Sequence, residues 1–297
     1  MILETKINIT TKFLRAGEVL RIIFIGLIMY TSYSLPCWSQ DLYNMEHSLK
    51  YAEYLFSGRQ FSLAAEEYER LIYFNKYDVS FKTNLVKSYR LSGDFNSGIN
   101  RLYSFYNDSL YSMPRGLATE FLKLELLTDS LPVAQDFMQH CSTLSIENKA
   151  VFQCVSLLLE GKYNEAGLYV REGREKNRMF PTDLFLLTEK AGATRFKQPF
   201  VAGGFSAIIP GTGKFYTKNW ADGIFSMLFV AGNAWQAYRG FNKYGSKSAY
   251  AWTFAGLSAG FYIGNIFGSV KAAKRYNKNK RNEIDTRVFE IIHSDNF

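Results

Sequence analysis

Residues 249–270 run for 22 positions without a charge, and Gly256, Gly260, Gly264 and Gly268 recur there at every fourth place. That length is enough to cross a hydrocarbon core of roughly 30 Å as a helix. A spacing of four sets the glycines on one stripe, where the missing side chains let a second helix come close. Glycine costs a helix roughly 1 kcal/mol relative to alanine, so four in one helix need a packing reason. The stretch is read as a transmembrane helix packed on a neighbour. A buried helix of a soluble bundle is the alternative.

A net charge of +8 points to an anionic partner. The Lys and Arg residues cluster beside apolar segments, which favours a lipid bilayer, and no basic stripe interleaved with stacking aromatics suggests nucleic acid. Tyr (20) and Phe (25) supply most of the 16% aromatic content, which suits helix packing and membrane interfaces. Residues 1–40 read as an export signal or signal anchor. Lys12, Arg15 and Arg21 precede an apolar run over 22–29, and Ser39 follows Pro36, Cys37 and Trp38 as a cleavage position. Pro36 stands where lipidation of Cys37 would need a small residue, so lipidation is not expected. The chain beyond residue 40 is placed outside the cytoplasm. There Cys141 and Cys154 could form a disulfide or stay two small buried residues, and both remain open.

A period appears next. Phe61 and Ala64, Phe95 and Gly98, Leu131 and Ala134, and Tyr163 and Ala166 repeat one pattern, a large apolar residue followed three places on by a small one. Phe61 and Phe95 are 34 residues apart. Turn glycines at Gly93 and Gly161 precede two of these positions, and Leu85 and Tyr89 lie on one face of the helix before the second. A helix ends at the turn, the large residue wedges beneath it, and the small one lets the next helix lie close. The pattern resembles the tetratricopeptide repeat (TPR) across about 45–175 in about four units. It departs from that family in lacking the usual tryptophan and in having Lys76 where a proline often closes the unit. The resemblance implies a helical stack with a concave groove for a protein partner. Lys82, Asn84, Lys87 and Arg90 are the candidate groove residues, with a solvated helix face as the plainer alternative.

After a short basic linker at 191–197 comes an apolar segment at 200–209, then Pro210, Gly211, Thr212, Gly213, Lys214, Phe215 and Tyr216. Gly-Thr-Gly-Lys is not a phosphate loop, because Ile208 and Phe215 stand where a glycine and a hydroxyl residue are required. Pro210, Gly211, Gly213, Tyr216 and Trp220 are expected to form a membrane-surface turn. With Asp222-Gly223 and Phe261, Tyr262, Gly264 and Asn265, the order resembles small two-helix membrane domains of bacterial envelope proteins over about 205–278. That implies architecture and no activity. Asn233 and Asn265, polar groups inside apolar helices, are expected to bond each other or freed backbone. Whether 198–213 cross the membrane stays open. Three crossings would put the basic run Lys271 to Arg281 on the cytoplasmic side.

Three scattered histidines, no GxSxG elbow and no metal-ligand spacing leave no catalytic constellation, and no cofactor is expected. The expected fold is all-α: a TPR-like helical solenoid over 41–190, a linker over 191–197, an α-helical transmembrane hairpin domain over 198–275, and a basic polar tail over 276–297. The function implied is a non-enzymatic inner-membrane protein whose exported repeats bind a protein partner while its C-terminal helices hold it in the bilayer. The rival is a transport or membrane-insertion accessory in which those helices are the functional part.

Overall fold

The computed structural model describes residues 19–21, 23–28, 44–176 and 178–294. Regular structure among them is entirely helical. The chain divides into two units, residues 1–51 and 52–297. In the first, residues 19–21 and 23–28 are helical and expose Ile23, Phe24 and Ile25. The remainder of the expected signal, including Lys12, Arg15, Cys37 and Ser39, lies outside the described residues. Helix α1 (Met45–Ser57) contributes Ala52 and Leu55 to the second unit's buried residues.

In the second unit the repeating positions become helix starts. Phe61, Phe95, Leu131 and Tyr163 open α2 (Phe61–Phe74), α4 (Phe95–Tyr106), α6 (Leu131–His140) and α8 (Tyr163–Glu175). Two residues before each start the backbone turns left-handed, at Arg59, Gly93, Asp129 and Gly161. A non-glycine residue in that conformation is uncommon, so the same turn recurs even where the glycine is missing. Ala64, Gly98, Ala134 and Ala166 are all buried, as close helix approach requires.

Between these helices run α3 (Val79–Ser92), α5 (Arg115–Leu127), α7 (Ile146–Leu159) and α9 (Thr182–Gly192), with a 3-10 segment at Asn107–Ser112. Capping fixes several starts. The Asp78 carboxylate accepts from the backbone N–H of Ser80 at 2.8 Å, and Ser145 Oγ accepts from that of Asn148 at 3.2 Å. Helices α3, α5, α7 and α9 touch in sequence, forming a row backed by the other set.

The C-terminal part differs from expectation. After α10 (Pro199–Ile208), α11 (Thr212–Tyr216) and α12 (Trp220–Tyr244), one helix, α13 (Ala249–His293), runs for 45 residues. At a rise of 1.5 Å per residue it is about 67 Å long. Its first half packs with α10, α11 and α12, and its second half lies against α5, α7 and α9. Ile284, Val288 and Ile292, spaced by four, enter the same core as Phe121, Val155 and Leu184. The expected polar tail at 276–297 is therefore, as far as Ser294, largely a core-forming helix, and the boundary at 275 falls inside it. Ile292→Val is expected to lower stability by about 0.5–1.5 kcal/mol, read as a lower denaturation midpoint of the full chain.

Among the described residues no helix is long and apolar enough to cross a membrane. This corrects the transmembrane-hairpin expectation. Freedom from charge is not apolarity: Tyr250, Thr253, Ser258, Tyr262, Asn265 and Ser269 join the glycines in diluting the first half of α13. Helix α10, with 10 residues, spans only about 15 Å.

Cys141 and Cys154 are free and buried. Burial pushes the Cys154 thiol up to about 12. Iodoacetamide at pH 8 should therefore label neither cysteine in the native protein and both in denaturant; rapid native alkylation would show that α7 opens readily.

Candidate functional site

Two constructions on α13 concentrate the unusual chemistry of this chain. The first is a clamp on its C-terminal end. The last carbonyls of a helix have no partner within the helix and carry partial negative charge. Arg90 of α3, wholly buried, donates from Nη1 to the carbonyl of His293 at 2.6 Å and to that of Ile292 at 3.4 Å. Its Nε meets Glu120 Oε2 of α5 at 2.6 Å, and Lys123 Nζ stands 3.6 Å from Glu120 Oε1. A buried ion cluster thus ties two helices of the row to the end of the long helix. Further back, Arg281 Nη2 donates to the carbonyl of Leu159 at 3.0 Å, covering the last turn of α7. Asn277 exchanges two 2.7 Å hydrogen bonds with the backbone of Lys197, one through Nδ2 and one through Oδ1. Lys190 and Lys280 both pair with Glu283 and hold its carboxyl at about 2, well below the usual carboxylate range.

The anticipated groove residues divide. Arg90 is no surface residue; it belongs to this clamp, because its partners lie 30 and about 200 positions away in sequence. Lys82, half-buried, lies 5.0 Å and 5.3 Å from the ring centroids of Phe105 and Tyr106, and burial lowers its ammonium's pKa. Lys87 sits 5.3 Å from the Phe56 ring, and Asn84 is half-buried. The inner row of helices that would have formed a groove is crossed by α13 itself.

The second construction is the bundle of α10, α11, α12 and the first half of α13. It is inside-out. Ser206, Ser269, Gly213 and Asn265 are buried, with Ser206 and Ser269 hydroxyls 2.7 Å apart and Gly213 N–H donating to Ser206 Oγ at 3.0 Å. Outside, Phe200 is 89% exposed, Ile208 79% and Phe267 70%, joined by Ile224, Phe225, Leu228 and Ile263.

The turn over 210–216 is built by close backbone approach. Gly211 has φ +92°, and a side chain there would strike the Gly223 carbonyl; one on Gly213 would strike the carbonyl of Ala202. Pro210 precedes that turn. Tyr216 Oη accepts from the Gln198 N–H at 3.3 Å, and Lys197 Nζ lies 4.4 Å from its ring centroid. Trp220, exposed, stacks on Phe215 at 5.0 Å.

The glycine stripe is where expectation fails. A Cβ on Gly256, Gly260 or Gly264 would meet no atom within 4 Å, so no helix among the described residues packs closely there. Gly268 faces a lysine, with Lys214 Cε 3.5 Å from such a Cβ. Nor do the asparagines meet. Asn233 donates to the Phe229 carbonyl of its own helix at 2.6 Å, whereas Asn265, 4% exposed, has no hydrogen-bond partner among the described residues.

Sequence reasoning missed Glu120, Lys123, Asn277 and Arg281. The apolar spacing of Ile284, Val288 and Ile292 was the signal that could have found the clamp. No protein-family model matches the chain, and no curated protein or solved structure does either.

Proposed function

We propose that this is a non-enzymatic, membrane-associated scaffold: the α10–α13 bundle rests in lipid, and TPR-like repeats grip the far end of α13. The observation that carries the lipid contact is the outward apolar face of the bundle, whose large side chains point out while serine, glycine, asparagine, alanine and Val230 lie inward. A contiguous apolar face of that character marks a surface that meets lipid or protein. Lipid is favoured by what surrounds it. Tyr238, Tyr244, Tyr250 and Trp252 gather at the α12–α13 hairpin, and Trp220 sits at the other end of α12. Exposed Lys218, Lys271, Lys274, Arg275 and Lys278 lie beyond the apolar flank, suited to anionic headgroups. Burial of a flank in a bilayer requires no helix to cross it. The exported location of the repeats rests on the N-terminal sequence alone.

The full chain is expected to float with vesicles containing about one-third anionic phospholipid and to lose most of that flotation when Phe200, Ile208, Leu228 and Phe267 become serine. Wild-type protein left at the bottom of the gradient would overturn the lipid contact. A protein partner has its own support. The end of α2 and the turn after it expose Tyr73 at 87% and Tyr77 at 85%, together with Phe74, an aromatic surface. The membrane-accessory alternative would instead make the bundle the working part.

A further inference from the structure

Beside the glycine stripe, a cavity of about 250 Å³ opens on the flank of the bundle between α12 and α13. Gly260, Gly264 and Asn265 line one wall, and Lys214, Phe225 and Phe229 line the other. Two polar groups in it are incomplete. Asn265 has both amide atoms buried without a hydrogen-bond partner among the described residues, on a residue only 4% exposed. An unpaired buried amide is costly, so a partner for it is favoured. Lys214 Nζ donates to Ser226 Oγ at 2.6 Å and lies 3.5 Å from the Asp222 carbonyl, but meets no carboxylate among the described residues. The Asp222 carboxylate is turned instead to Asn219 Nδ2, at 2.6 Å. The Lys214 side chain crosses Gly268, so its ammonium stands within one helical turn of Asn265 along α13.

We propose that this groove binds an oxyanion carried on an alkyl chain. Lys214 and Asn265 hold the head, and the chain runs out along Gly260 and Gly264 against the rings of Phe229 and Phe261. The inference rests on the lipid contact proposed above and adds a specific ligand class to it. Three features select this occupant. The cation calls for an anion. The amide offers a donor to the same head. The glycines leave an open track, since a side chain on Gly256, Gly260 or Gly264 would touch nothing. A second copy of the chain fits less well. Residues 249–270 contain no carboxylate to offer Lys214.

The test uses the full chain in nonionic detergent, with oleate, dioleoyl phosphatidic acid and inorganic phosphate as probes. Oleate or phosphatidic acid should bind, with Kd raised at least tenfold by Gly260→Leu, which fills the track, and by Lys214→Gln, which removes the cation. Asn265→Leu removes the unpaired amide, so it should keep the fold and still weaken binding. Vesicle flotation of Gly260→Leu should match wild type. Equal binding by wild type and Gly260→Leu overturns the proposal, as does phosphate competing as well as the alkyl anions. Crosslinked dimers lost in Gly260→Leu, without bound amphiphile, would assign the stripe to a second copy and also overturn it. If the wild type fails to float, the lipid contact itself fails. Normal flotation without alkyl-anion binding sinks only the alkyl-anion groove.

Discussion

Arg90→Ala is expected to destabilise the protein by about 3–5 kcal/mol, the cost of removing one partner from a buried ion pair. The change strands Glu120, whose remaining ion-pair partner among the described residues is Lys123 at 3.6 Å, and leaves the carbonyls of Ile292 and His293 without their 3.4 Å and 2.6 Å donor contacts. The denaturation midpoint should fall, and limited proteolysis should begin to cut beyond residue 284, in the segment whose end Arg90 holds. The cost comes from the uncompensated charge rather than from lost contact area. A triple variant, Arg90→Met with Glu120→Leu and Lys123→Met, should therefore recover most of the stability. If Arg90→Ala leaves midpoint and cleavage pattern unchanged, the end of α13 is not held by this cluster.

That residue also shows what could be read from the chain alone. The helix starts were legible because their signals are local: a turn, a large residue and a small one within a few positions. The structure places helix starts at the same four residues. What escaped was non-local. Arg90 looked like one more polar residue on a helix whose inner face awaited a partner, and the partner was the end of α13. Ile284, Val288, Phe289 and Ile292 do carry a helical apolar pattern. The basic run from Lys271 to Arg281 hid it by resembling the edge of a membrane segment. A helix can be largely exposed over three turns and enter a core beyond them, and α13 is such a helix.

Gly213→Val is expected to collapse the bundle, while Gly260→Ala should be tolerated or should stabilise α13 by up to about 1 kcal/mol through helix propensity. Spacing in the sequence suggested the reverse. Four glycines in register attract notice, yet Gly256, Gly260 and Gly264 have open space where a side chain would go. The glycines that bring backbones together follow no period. Gly213 lies against the Ala202 carbonyl, Gly211 and Gly223 abut each other, and Gly240 fits against Ala251 at the hairpin. A valine at 213 must displace the backbone of α10 and break the Gly213 N–H bond to the buried Ser206 hydroxyl. Overpacking against backbone cannot relax by a rotamer change, so the cost should reach about 3 kcal/mol or more. Thermal melting and protease resistance of the two variants in nonionic detergent decide between the two arrangements. A Gly213→Val protein that melts with wild type would show that α10 does not pack closely on α11, and a Gly260→Ala protein that unfolds early would restore the stripe as a packing surface.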